Sequence, residues 1–320
     1  MKRILMIFFL IVLVSTIGTP AGAARPEKKI GVLMWSEEVE YYEVSKGVMD
    51  QLKKEGFGGP EVKFTVENAR GGKSKLAEMA RRFAAAKMDM IVSIGTTATL
   101  AAAREIKDAP LVFAYVYDPV ESGIARKWGN SGNNTTGASS RVSLSKLVNC
   151  LQEFAPVTRL AVLYTPGEKN SEALLKELQN VLAGSRIKVF PVILSGEEEV
   201  VQSLSVIVPT VDAIYLSGSS IVGNKVATIV DMATKANVIT ITHRAELAKQ
   251  GVLLGVAADP YLVGRLAGAK AVKVLKGAKP SSIPIESLGR HDVMLNMKTV
   301  KAGRFQVSPS FMKSVTKVIE

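Results

Sequence analysis

The sequence predicts an α/β protein, doubly wound and divided into two lobes, and three observations carry that reading. Short apolar runs rich in Val and Ile recur through most of the 320 residues, nearly apolar on both faces, as strands of helix-covered parallel sheets must be. Longer stretches with helical spacing separate them, so strand and helix alternate. The alternation stops once, between Tyr117 and Ser143, and then begins afresh.

The strand-like runs, in order, are "KIGVLMW" (29–35), "EVKFTVE" (61–67), "DMIVSIG" (89–95) and "PLVFAYV" (110–116) before the break. After it come "RLAVLYT" (159–165), "RIKVFPVI" (186–193), "DAIYLSG" (212–218), "VITIT" (238–242) and "GVLLGVA" (251–257). Among the helices, "SKLAEMARRFAAA" (74–86) sets Leu76, Met79, Ala80 and Phe83 on one stripe. "DPYLVGRLAGAKAVKVLKG" (259–277) opens with Asp259 as N-cap and Pro260 in the first turn and stops at Gly277. "SPSFMKSVTKVIE" (308–320) repeats the Ser-Pro opening and reads as a last helix. The Gly-, Asn- and Ser-rich break, "YDPVESGIARKWGNSGNNTTGASSRVS", is the passage from the first lobe to the second.

Composition narrows the function classes. The chain begins with Lys2 and Arg3, an apolar run from Ile4 to Val14 and a small-residue tract ending Ala21-Gly22-Ala23. That is the layout of a cleavable secretory signal over 1–23, the run being shorter than the about 20 apolar residues of a membrane span. No cysteine stands near the cleavage site to carry a lipid, and the single Cys150, beside Leu147 and Leu151, reads as a buried thiol. The formal charge of +12 becomes +10 once Lys2 and Arg3 are removed, and it is spread among acidic residues rather than gathered in a patch. A solvated surface accounts for it, and no nucleic-acid partner is expected.

Enzyme chemistry has no positive signal. "ENARGGKSK" (67–75) lacks the first glycine of a phosphate loop, Glu67 standing there, and "GSSIVGNK" (218–225) has Asn224 in the lysine position. The two histidines, His243 and His291, have no metal-ligand spacing, and no G-x-S-x-G occurs. Neither a cofactor nor a metal is expected.

In open α/β sheets ligands gather beyond the C-terminal strand ends, near helix N-termini with free N–H groups. The residues there are Trp35 and Ser36; Thr96, Thr97 and Thr99 after Gly95; Tyr117 and Asp118; Ser139 and Ser140; Tyr164 through Asn170; Ser217, Ser219 and Ser220; His243 and Arg244; and Asp259 with Tyr261. Hydroxyls, an amide and aromatic rings dominate. Capping a helix needs one hydroxyl, whereas "SIGTTAT" (93–99) supplies four, which points to ligand contact there.

At this point the sequence resembles the periplasmic solute-binding proteins of ATP-binding-cassette importers, in their tryptophan/tyrosine-uptake branch. The matching segments include "FAAAKMDMIVSIGTTATLAA", "APLVFAYVYDPVESGI", "RLAVLYTPGEKNSEALLKEL" and "VLKGAKPSSIPIE" with "LNMKT", in order over nearly all of the chain after the signal. The resemblance implies a type I periplasmic binding protein: two Rossmann-like lobes joined by three hinge crossings, the first being 28–138 plus 255–289 and the second 139–254 plus 290–320. It also implies a periplasmic monomer that closes on a small-molecule solute and delivers it to a membrane permease.

Carried over residue by residue, the cleft positions include Thr96, Thr97, Asp118, Ser139, Ser140 and Asn170. Where many relatives carry carboxylates after two strands of the second lobe, this chain has Gly218-Ser219-Ser220 and Arg244. The cleft is therefore expected to favour a polar or anionic solute over a zwitterionic aromatic amino acid. Two other readings share the fold, a sensor component feeding a receptor kinase and a secreted α/β enzyme. A transcription regulator would carry a helix-turn-helix where this chain carries its signal.

Overall fold

The computed structural model describes residues 27–320, so the signal segment expected at 1–23 lies outside the described residues. Two sheets organise the chain. The first is built from β1 (Lys28–Met34), β2 (Val62–Asn68), β3 (Met90–Ile94), β4 (Leu111–Val116), β5 (Thr135–Ser139) and the two-residue β11 (Glu286–Ser287). Its order is β11-β5-β4-β3-β1-β2, all parallel. The second holds β6 (Arg159–Tyr164), β7 (Lys188–Ile193), β8 (Ala213–Leu216), β9 (Ile239–Thr242), β10 (Leu254–Ala257), β12 (Asp292–Asn296) and β13 (Lys317–Ile319) in the order β13-β12-β10-β9-β8-β6-β7. Only the β10–β12 pair in it is antiparallel.

Helices α1 (Val39–Lys54), α2 (Lys73–Ala85) and α3 (Thr96–Glu105) cover the first sheet, and α4 (Leu144–Phe154), α5 (Lys169–Leu182), α6 (Glu199–Ile207), α7 (Ser220–Asn224), α8 (Val226–Lys235) and α9 (Ala245–Lys249) belong to the second. Helix α10 (Pro260–Leu275) returns to the first lobe and packs along α1, while α11 (Met297–Ala302) and α12 (Pro309–Ser314) complete the second. The α1–α10 contact is close because Gly47 and Gly264 have no side chains: a Cβ on either would lie 2.2 Å or less from a backbone oxygen of the other helix. That packing fixes the N-terminal end of α1, which carries site residues.

The central strands β1, β3, β4 and β8 are buried along most of their length on both faces, as helix-covered parallel strands must be. The chain passes between the sheets three times: after Ser139, after Ala257, and between Ser287 and Asp292. The second passage falls after Ala257 rather than at 254–255, since β10 is paired with β12 over its whole length. The predicted C-terminal helix is also shorter than its Ser-Pro opening implied: α12 ends at Ser314 and the chain continues as β13 on the edge of the second sheet. No helix among the described residues is long and apolar enough to cross a membrane.

Candidate functional site

The C-terminal strand ends of the two sheets face one another across a cleft, and a small cavity of about 30 Å³ lies between them. From the first lobe it is lined by Tyr41, Thr96, Tyr115 and Tyr117; from the second by Asn170, Gly218, His243 and Arg244; Ser140, at the first crossing, completes it.

The loop from β3 to α3 explains itself physically. Gly95 has φ of 91°, a conformation that a side chain disfavours, and a Cβ there would sit 3.2 Å from the Tyr41 hydroxyl. The hydroxyls of Ser93 and Thr99 bond to each other at 2.9 Å, and Thr99 Oγ1 also donates to the Gly95 carbonyl at 2.8 Å. Of the four hydroxyls in this stretch, Thr96 alone lines the cavity; Thr97 is half-buried and lies outside it.

Tyr115 is displayed by strain. It has φ of 62° inside β4, where the pairing with β5 shifts register between Ala114 and Val116. A bulky residue at positive φ costs about 1–3 kcal/mol and persists where surrounding structure enforces it, often at functional sites. Two residues on, the Tyr117 hydroxyl donates to Glu177 Oε2 at 2.9 Å, and its ring meets the His243 ring edge-on at 5.0 Å across the cleft. Burial holds the Tyr117 hydroxyl protonated well above the ordinary tyrosine range.

On the second lobe, Asn170 Nδ2 donates to the Gly218 carbonyl at 2.6 Å. His243 Nδ1 lies 3.1 Å from the hydroxyl of Tyr215, which is wholly buried in β8. Burial, with the Arg244 guanidinium beside it, pushes the His243 pKa down to about 3, so the ring is neutral at ordinary pH.

Arg244 departs from expectation. It does not await an anion: its Nε donates to Glu40 Oε2 at 2.8 Å, and its Nη2 bonds both Glu38 and Glu40, all from the opposite lobe. Glu40 also accepts from the Glu246 backbone N–H at 2.8 Å. Arg244 and Glu40 are 5% and 0% exposed, so this pair is shielded from water, while Glu38, 26% exposed, borders the wider hollow outside. The two carboxylates hold the guanidinium charged despite its burial. Two carboxylates and one guanidinium carry a formal charge of −1, so the anionic bias inferred from Arg244 does not follow.

Outside this cluster, a wider hollow of about 490 Å³ opens between the lobes and is lined in part by Trp35, Ser36 and Ser220. Trp35 Nε1 donates to Ser220 Oγ at 3.2 Å, another bond across the cleft. The remaining expected residues have structural partners. Asp118 accepts from the N–H groups of Val120 and Glu121 and pairs with Arg141 at 3.4 Å. Ser139 bonds the Tyr117 carbonyl at 2.6 Å and accepts from the Arg141 N–H, bracing the crossing. Ser219 caps α7 and bonds Thr165 at 2.6 Å. Asp259 caps α10 and lines a separate hollow with Lys46 and Tyr261. Tyr164 is half-buried and lines neither chamber of the cleft.

Glu38, Glu40, Tyr41 and Tyr115 escaped the sequence reading. The first three stand at the N-cap and in the first turn of α1, in an acidic stretch, "SEEVEYY", that reads as a solvated helix start. Following the chain one turn beyond the end of β1 would have found them. Nothing in "PLVFAYV" announces the bulge that turns Tyr115 into the cleft. Among the described residues no group of three or more His, Cys, Asp or Glu is gathered to hold a metal ion.

Comparison with known proteins agrees with this geometry. Residues 29–319 match the family described as ABC transporter substrate binding protein. The chain is 25% identical over 281 residues to a tyrosine-binding protein of Clostridioides difficile, covering 87% of this chain and 81% of that one. An ABC domain from Streptococcus pneumoniae, solved in complex with L-Trp, is 26% identical and superposes with a TM-score of 0.86 over 92% of this chain and all of that one. The ligand-free, open structure of a substrate binding protein with adhesive properties from Clostridium difficile, also 26% identical, covers 91% and 99% with a lower TM-score of 0.72. The lobes are thus disposed more like the tryptophan complex than like the open form, in keeping with the bonds that cross the cleft.

Proposed function

The chain belongs to the ABC transporter substrate-binding proteins, and from that premise we propose that it captures a small polar organic solute between its lobes outside the cytoplasm and presents it to a membrane permease. A cavity lined from both lobes carries this reading, because a solute held there touches both lobes only when they are closed and so shifts the open–closed equilibrium. At about 30 Å³ the inner cavity is smaller than organic-ligand pockets, which span about 300–1,000 Å³, so a solute is admitted only with the lobes further apart than here.

Amino acids with aromatic side chains are the first candidates. Three tyrosine rings and a neutral imidazole supply apolar faces, Thr96, Ser140 and Asn170 supply hydrogen bonds, and the formal −1 of the Arg244 cluster favours an amine over a second anion. Relatives named for tyrosine binding or solved with L-Trp support the same class. Export through the segment at 1–23, a periplasmic home, handover to a permease and the absence of turnover complete the proposal.

The test is to purify the protein natively, release what it carries by denaturation, identify it by mass spectrometry and titrate it back by calorimetry. Recovery of one small solute that rebinds unchanged fits the proposal; chemical conversion of that solute by the pure protein would overturn it.

A further inference from the structure

His243 has one ring nitrogen committed and one free. Nδ1 meets the Tyr215 hydroxyl at 3.1 Å, while Nε2 has no hydrogen-bond partner among the described residues. His243 and Gly218 line the same cavity, and a Cβ on Gly218 would lie 3.7 Å from Nε2, so the free nitrogen is on the cavity side of the ring.

Which nitrogen carries the proton follows from Tyr215. Its side chain is 0% exposed, and among the described residues its hydroxyl has no polar partner except Nδ1. Were Nδ1 protonated, it would donate to the phenol oxygen and leave the phenol proton buried without an acceptor, an unmet donor costing about 1–3 kcal/mol. With Nδ1 bare, Tyr215 donates to it and every proton in the pair is satisfied. The ring's own proton then sits on Nε2, since a neutral imidazole carries one.

We propose that His243 is a specificity-determining residue of the cleft, held by Tyr215 in the Nε2–H tautomer so that it donates a hydrogen bond to an oxygen acceptor of the solute. Tyr215 is then a positioning residue that never touches the solute. A carboxylate, carbonyl or hydroxyl oxygen is accepted at this point, whereas a solute presenting an N–H there meets a donor facing a donor and is rejected. Being neutral, the imidazole discriminates by hydrogen-bond direction rather than by charge. This inference rests on the cleft being the solute site.

The chain has two histidines, so ¹⁵N–¹H spectra of the labelled full-length protein resolve each ring, with His291→Asn giving the assignment. At neutral pH His243 is expected as the Nε2–H tautomer, and Tyr215→Phe is expected to mix the tautomers. An Nδ1–H or doubly protonated His243 in the wild type overturns the inference and leaves the solute-site reading intact. Calorimetry with L-tryptophan, L-tyrosine and the co-purified solute supplies the second arm. His243→Leu is expected to weaken binding about tenfold, and His243→Gln, whose amide reaches the Nε2 position, to recover part of it. Wild-type affinity in His243→Leu overturns the inference; a wild type that binds none of these solutes counts instead against the solute-site reading.

Discussion

Arg244 and Glu40 stand on opposite lobes, yet the Arg244 Nε donates to Glu40 Oε2 at 2.8 Å and both side chains are buried. The pair is therefore a bond of closure: opening the cleft returns both groups to water, while each lobe keeps its own core.

Removing the guanidinium strands Glu38 and Glu40 together in the closed form. Losing one partner of a buried ion pair costs about 3–5 kcal/mol. Arg244→Met is expected to shift the protein towards the open form in solution scattering and to lower solute affinity at least about a hundredfold. Its melting temperature should change little, because the strain vanishes on opening. Glu38→Gln, which leaves one carboxylate on one guanidinium, should cost far less. Unchanged affinity in Arg244→Met would remove the pair from the closing mechanism.

Stability should depend on pH through His243. Its folded pKa is about 3 against 6.5 when free, burial being the main cause. Between those values the unfolded chain binds the extra proton, so stability is full above about pH 6.5 and declines as pH falls towards 3, at up to about 1.4 kcal/mol per pH unit. Urea unfolding from pH 7 to 4 measures the slope. Carboxyls held low by partners, such as Glu172 beside Lys169, add their own loss at the acid end of that range, so the comparison that matters is with His243→Phe, which should flatten the curve between pH 6.5 and 4.5.

Trp35, 7% exposed at the cleft, should report closure by its fluorescence, because opening breaks its bond to Ser220 and exposes the indole. Trp128→Phe is expected to keep the solute-induced change and Trp35→Phe to lose it. Ser220→Ala should weaken binding about two- to tenfold, the worth of one hydrogen bond. A response that survives Trp35→Phe would place the moving contact elsewhere.

Gly218→Val tests the cavity by filling it. A Cβ there meets Asn170 Nδ2 at 2.9 Å and approaches Arg244 and His243. Solute affinity should fall more than tenfold, by calorimetry, with the fold retained because only the end of the Asn170 side chain must move. Normal binding would exclude the inner cavity as the site.

Much of this architecture was legible in the sequence. Strands such as β3 and β4 are apolar on both faces, and the break after Tyr117 marks a crossing. Strand β5, "TTGAS", escaped because it is buried yet hydroxyl-rich, its Thr136 satisfied by the Ile283 carbonyl and its Ser139 by Tyr117. Within the site, reading residues after each strand found Thr96, Tyr117, Ser140, Asn170 and Arg244, since strand ends fix those positions. It could not tell a hydroxyl facing the cavity from one turned inward, as Thr96 and Thr99 differ only in helix phase. Nor could it see that Arg244 meets Glu38 and Glu40 from more than 200 residues away, a pairing that exists only once the two lobes close.

A crystal structure of the protein loaded with its co-purified solute addresses the central claim most directly. The account predicts solute density enclosed between Tyr117 of the first lobe and Asn170 and His243 of the second, with Arg244 still on Glu40. Density on one lobe alone, or outside the cleft, would contradict it.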